Sequence, residues 1–287
     1  MQEHEIQHIA DTAMWIAAYR ALESERSDAV FKDTLAGKLA GPRGYKMVEQ
    51  TPGTERMAFA MVTRTTAIDR LIYSALSKGV TAVINLGAGL DTRPYRMNLP
   101  STLSWVEVDF PGTISYKNNM LKNDVPVCKL QRLASDLADE KARKSLLSDL
   151  GKEGTNILVI TEGVIGYLTP QQATNLSRDI HEVLSFRHWI MDYSQGRFVK
   201  NAMRRKLEKE MLANSPLKFD EPDPITFFKR DGWRVEENIY ILDEADRLGR
   251  KLPASFPLQI AMRLFPKKIR ELGNKTYGYV MFKCAER

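Results

Sequence analysis

Residues 83–96, Val-Ile-Asn-Leu-Gly-Ala-Gly-Leu-Asp-Thr-Arg-Pro-Tyr-Arg, decide the fold of this chain. An apolar run from Ala82 to Ile84, continued by Leu86, ends in Gly87-Ala88-Gly89, and an acid and a threonine follow at once. This is the pattern of a buried parallel strand, a tight glycine turn and a helix start, with Asp91 or Thr92 placed to cap the helix. Such a turn brings backbone close to a nucleotide-like ligand, because glycine has no Cβ in the way.

What the turn lacks narrows the ligand. A dinucleotide fingerprint requires a third glycine three residues after the second. That position is Thr92, and a Gly-Lys-Ser/Thr phosphate loop is absent as well. A cofactor that carries adenosine without phosphate tolerates both absences, and S-adenosylmethionine is the common one.

Outward from the turn, strands alternate with helices. Strands are expected at 81–86, 103–109, 126–133, 155–161, 186–193, 233–241 and 276–284. Helices are expected at 90–98, 112–122, 139–150, 170–184, 196–213 and 242–249, the fourth with Thr169 as cap and Pro170 in its first turn. Ahead of the sheet, the periodicity predicts helices over 10–24, 29–39 and 55–76, with a break at Gly41-Pro42-Arg43-Gly44. Residues 213–231 are rich in turn formers and read as a mobile connection or lid. The whole is one α/β domain: a helical cap over 1–79, then a Rossmann-like core over 80–287 with a helical or lid insertion at 195–232. The core sheet has seven strands, most of them parallel, and ligands of such sheets lie at the carboxyl edge.

Bulk properties exclude several classes. The 287 residues are 43% hydrophobic and 27% charged, as in ordinary globular proteins. The net charge of +6 is modest, and the densest basic stretch, Arg204-Arg205-Lys206 with Lys209, alternates with Glu208 and Glu210 as a solvated helix face does. No nucleic-acid partner is expected. The N-terminus has no basic leader region and no apolar run approaches ~18 residues, so neither export nor membrane insertion is expected. Cys128 and Cys284 stand apart in no ligand spacing, which suits a reducing cytoplasm and gives no metal site.

Each strand end in the first half carries a polar group. Asp109 closes strand two, where a carboxylate can accept both hydroxyls of a ribose. Glu107, two residues earlier, shares its face. Asp136 after strand three can accept an adenine amino group while the Leu137 amide donates to the ring, or Asp136 can cap the next helix. Glu162 follows the apolar fourth strand, and a carboxylate there is costly unless paired; the ammonium group of the cofactor is one partner.

These elements resemble the leucine carboxyl methyltransferase family, in particular its bacterial branch of S-adenosylmethionine-dependent O-methyltransferases linked to polyketide-type substrates. The resemblance runs over nearly the whole chain. It rests on Thr12-Ala13, Arg20-Ala21 with Glu23, Asp28-Ala29 with Phe31 and Asp33, and Arg64-Thr-Thr-Ala-Ile-Asp69. It continues through Asn85 to Arg93, Glu107-Val-Asp-Phe-Pro111 with Lys117, and Glu162-Gly163-Val164 with Tyr167-Leu-Thr-Pro170. The resemblance implies a class I methyltransferase fold and assigns cofactor contacts to Arg64 (the cofactor carboxylate), Gly87, Gly89, Asp109, Asp136, Leu137 and Glu162. It places Tyr167 near the acceptor, where plain packing is its other reading. The family also uses an N-terminal cation; Arg20 is the residue to consider, and it stays unassigned.

Methyl transfer to oxygen demands alignment more than proton chemistry. A carboxylate acceptor is already ionised, whereas a hydroxyl or phenol needs a base, usually histidine. None of His4, His8, His181 and His188 is placed by sequence at the reacting centre, which favours ester formation on a small acid or polyketide-like compound. Asp192 and Tyr193, ending strand five, keep a hydroxyl or phenol acceptor open. Phe198, Phe219, Phe227, Phe228 and Trp233 read mostly as core. Two further alternatives are a non-catalytic cofactor-binding protein and a nicotinamide oxidoreductase, the latter disfavoured by Thr92.

Overall fold

A computed structural model describes residues 3–51, 53–195, 217–253 and 275–285, with backbone alone for 3–10. The seven strands are β1 (Ala82–Leu86), β2 (Ser104–Asp109), β3 (Lys129–Ala134), β4 (Ile157–Thr161), β5 (Phe186–Ser194), β6 (Trp233–Tyr240) and β7 (Tyr277–Cys284). They form one sheet in the order β3-β2-β1-β4-β5-β7-β6. The first five pair in parallel, and β7 runs antiparallel between β5 and β6. The expected seven-stranded, mostly parallel sheet is therefore present, each strand within a few residues of its expected bounds.

β1 and β4 are buried along their full length, because helices cover both faces of a parallel sheet. One face packs Leu86, Val159, Trp189 and Phe282 under α6 (Glu140–Leu150) and α7 (Pro170–Glu182). The other packs Val83, Trp105, Leu158, Ile160 and Ile190 against Ile68 and Leu71 of α3 (Thr54–Ser77). On this second face the alternation of β1, β2, β4 and β5 brings Asn85, Asp109, Glu162 and Asp192 to the carboxyl edge, two residues beyond Val83, Glu107, Ile160 and Ile190 respectively. A third cluster joins α1 (Glu3–Glu25) to α2 (Ala36–Glu49) through Trp15, Tyr19, Leu39 and Ala40, and forms the cap. Thr169 and Gln172 make a reciprocal capping box at the start of α7, as the Thr-Pro signal predicts.

Three expectations need correction. The helix expected at 29–39 begins instead at Ala36, where Asp33 accepts the Ala36 N–H at 3.1 Å, and it runs on to Glu49. The break expected at Gly41-Pro42-Arg43-Gly44 is present: Gly41 leaves the helical conformation at φ 56°, ψ −179°, and Pro42 then stands at the start of the next helical stretch, where its missing donor is not needed. The helix expected at 90–98 is a single turn, α4 (Arg93–Arg96), and Thr92 makes no side-chain cap: its hydroxyl donates to Asp33 at 2.6 Å. Asp91 does take the Arg93 N–H, at 3.0 Å. Finally, the described part of the 213–231 stretch does not stand off as a lid. It contains α8 (Pro224–Lys229), capped by Asp223, and places Phe219 and Phe228 in the core. The helix expected at 196–213, most of the 195–232 insertion and Phe198 lie outside the described residues. Among the described residues the last helix, α9, spans Ile241–Arg247.

Candidate active site

The glycine turn after β1 is built for close approach. Gly87 has φ 69°, and a Cβ there would lie 2.5 Å from the Val164 side chain. Only glycine holds this backbone without strain or clash. The Gly89 N–H donates to Asp109 Oδ2 at 2.7 Å, and the Phe110 N–H to Oδ1 at 2.7 Å. Asp109 is thus fixed against the turn, with one lone-pair direction per oxygen left for a ligand hydroxyl.

Glu162 lies one residue past β4, half-buried, between two arginines. Arg64 Nε sits 2.7 Å from Oε1 and Arg93 Nη1 2.7 Å from Oε2. Burial alone would push the Glu162 carboxyl up, but Arg93 and Arg64 outweigh it and hold the carboxyl below the ordinary range. Arg64 Nε is buried and, despite its short distance to Glu162, lies off the line a hydrogen bond requires. A buried guanidinium with an unused donor beside a carboxylate with spare lone pairs is complementary to an amino-acid group carrying both charges.

Arg93 is the hub of this cluster, and reading the sequence assigned it no site role. It is 3% exposed and reaches Asp69 at 2.7 Å, Asp91 at 2.9 Å and Glu162 at 2.7 Å. Asp69 also binds Arg96, and Arg96 approaches Asp33, which binds Arg20 at 2.8 Å. Arg20 in turn donates to the Leu90 carbonyl at 2.6 Å, so the cap's cation grips the glycine loop rather than the cleft. One sequence signal for Arg93 existed: a cation at the first position of a helix opposes the helix dipole and needs a tertiary reason. Glu107, facing the same way as Asp109, is fully buried on Lys117 and Arg132, both at 2.8 Å, and belongs to the framework.

Asp136 and Leu137 follow β3. Asp136 accepts the Ala138 N–H at 2.8 Å, and the Leu137 carbonyl accepts from Arg143 at 2.8 Å. The cap of α6 is Asp139, so Asp136 is not spent on that helix. Tyr167 lies in a short 3-10 turn (Ile165–Tyr167) and burial raises its hydroxyl pKa, with Arg64 and Asp192 acting on it electrostatically. The edge thus brings Arg64, Gly87, Gly89, Asp109 and Glu162 to the ends of β1, β2 and β4. Asp136 and Leu137 flank them on β3, and Tyr167 sits on the β5 side. His188, by contrast, starts β5 on Glu236 at 2.9 Å, and His181 lies against Cys284 at 3.3 Å. Among the described residues no cluster of histidine, cysteine and acid side chains is arranged to hold a metal, and no helix is long and apolar enough to cross a membrane.

Comparison with known proteins bears on this arrangement. The family model described as leucine carboxyl methyltransferase matches residues 13–181. A proposed S-adenosyl-L-methionine-dependent methyltransferase of Streptomyces coelicolor is 35% identical over 179 residues, 58% of this chain and 61% of that protein. A similarly described protein of Streptomyces avermitilis is 31% identical over 263 residues, 86% of this chain and 90% of the relative. Two solved structures share the fold. One is a proposed methyltransferase from Thermobifida fusca (TM-score 0.56, 14% identity, 88% of this chain, 92% of the other). The second is a DUF574 family protein from Streptomyces avermitilis (TM-score 0.57, 13% identity, 93% and 96% coverage).

Proposed function

This chain belongs to the leucine carboxyl methyltransferase family and is an S-adenosylmethionine-dependent methyltransferase, and from that premise we propose that it methylates a carboxylate of a small acid or polyketide-like compound. In this reading Gly87 and Gly89 give the cofactor its seat, and Asp109 accepts the ribose hydroxyls. Asp136 and Leu137 take the adenine. Arg64 and Glu162 take the carboxylate and ammonium of its amino-acid end. The bound cofactor supplies an electrophilic methyl group on a sulfonium.

The residues themselves bind, orient and keep charge fixed. Arg93 holds Glu162 ionised, so the site meets the cofactor's ammonium without reorganisation. The observation that supports the acceptor class is where the two imidazoles among the described side chains lie. His188 is tied to Glu236 at the amino end of β5, and His181 to Cys284 at the carboxyl end of β7, which is the opposite edge of the parallel sheet. An acceptor that is already ionised needs neither. A cytoplasmic location, expected from the two free cysteines, is part of the same proposal.

Incubation with methyl-labelled cofactor and a panel of acids and phenols, followed by mass spectrometry, tests the reading. A labelled product that loses its methyl in mild alkali is an ester and supports it. An alkali-stable methyl ether would overturn it in favour of a hydroxyl or phenol acceptor.

A further inference from the structure

Asp192 is a polar group at the cleft whose work is visible in its contacts. It ends the apolar run of β5, on the sheet face that carries Glu162, and it is partly exposed. Its Oδ1 accepts the Gly163 N–H at 2.7 Å, and its Oδ2 accepts the Tyr277 hydroxyl at 3.2 Å. Gly163 directly follows Glu162 and turns the chain at φ 67°. The peptide that aims the Glu162 carboxylate is therefore held from the neighbouring strand. Tyr277, at the start of β7, stacks edge-on against the buried Tyr279 with ring centroids 5.8 Å apart. Burial, reinforced by Asp192, keeps its hydroxyl protonated and donating.

A donor on each oxygen makes Asp192 a fixed acceptor rather than a group waiting for a substrate proton. We propose that Asp192 is a positioning residue for cofactor binding: it locks the Glu162–Gly163 turn, and Tyr277 locks Asp192, so that the antiparallel strand β7 tunes affinity for the cofactor's amino-acid end. The proposal rests on the assignment of Glu162 to the cofactor.

Titration calorimetry with S-adenosylmethionine on the whole protein tests it, with melting temperature recorded for each variant. Asp192→Ala leaves the Gly163 N–H without its acceptor and is expected to weaken binding at least tenfold. Tyr277→Phe removes only the second lock and is expected to weaken binding two- to fivefold. Asp192→Asn retains a carbonyl oxygen for Gly163 and an amide opposite Tyr277, and is expected to stay within twofold of wild type. A merely structural role would lower melting temperatures and leave the dissociation constants unchanged. That result in Asp192→Ala overturns the proposal; if this variant does not fold, unchanged affinity in Tyr277→Phe does. Asn as weak as Ala would also overturn it, because charge rather than position would then be the cause. Glu162→Gln separates the premise: unchanged affinity there removes Glu162 from the cofactor site, whatever the Asp192 variants do.

Discussion

At the scale of single residues, the site is a set of carboxylates kept ionised where burial opposes it. Burial pushes Asp33, Asp91 and Glu162 up, and nearby guanidiniums more than reverse this: Arg20 for Asp33, Arg93 for Asp91, and Arg93 with Arg64 for Glu162. Each folded-state pKa thus lies below its unfolded value. Such groups contribute stability that is fully present above the unfolded pKa and is lost as pH falls through the folded one. Through these carboxylates, urea unfolding is expected to show a steep loss of stability below about pH 4, where unfolded carboxylates take up protons that the folded protein refuses. A stability that rose on acidification through this window would contradict the ion pairing. Of these acids Glu162 was legible in the sequence, because a carboxylate following an apolar strand needs a reason; Asp91 read only as a helix cap and Asp33 only through the family resemblance. Their partners were not legible: Arg93 meets Asp69 and Glu162 across long stretches of chain, and only the assembled sheet sets those distances.

Elements hold the loops that carry these residues. Arg143 on α6 places Nε and Nη2 on Asp179 of α7, at 2.8 and 2.6 Å, and spends Nη1 on the Leu137 carbonyl. One buried side chain thereby joins two helices and fixes the loop proposed to face adenine. Arg143→Met is expected to destabilise the fold by about 3 kcal/mol, the lower part of the range for breaking a buried pair, since Lys144 remains 3.7 Å from Asp179. Chemical denaturation measures this, and an unchanged midpoint would show the clamp to be idle. Strands were read well because β-branched and apolar runs between turn formers survive in any tertiary setting. The second helix was not. Its start at Ala36 is set by Asp33, and Leu39 and Ala40 pack with Trp15 and Tyr19, contacts that local sequence does not contain; the interruption at Gly41-Pro42 was legible.

For the molecule as a whole, the ion pairs form one path from the cap to the cleft: Arg20, Asp33, Arg96, Asp69, Arg93, Glu162, Arg64. Arg20 is the member that ties the first helix to the glycine loop. Replacing it with methionine leaves Asp33 buried with Thr92 and a more distant Arg96, and is expected to cost about 3–5 kcal/mol. Differential calorimetry would detect this as a lower melting temperature. A cap that melts ahead of the core would show that the two are joined mainly through this path.

The position of β7 has a consequence for how the protein is made. The strand that comes last in the described sequence lies inside the sheet, between β5 and β6, and supplies hydrogen bonds to both. Until residues 277–284 leave the ribosome, the growing chain presents two open strand edges flanked by Trp189 and Trp233. Open apolar edges recruit other chains. Aggregation is therefore set during synthesis, by the time each nascent copy spends with those edges bare, and stop codons introduced shortly before Tyr277 are predicted to raise the aggregated fraction above that of the full chain, as sedimentation of lysates would measure.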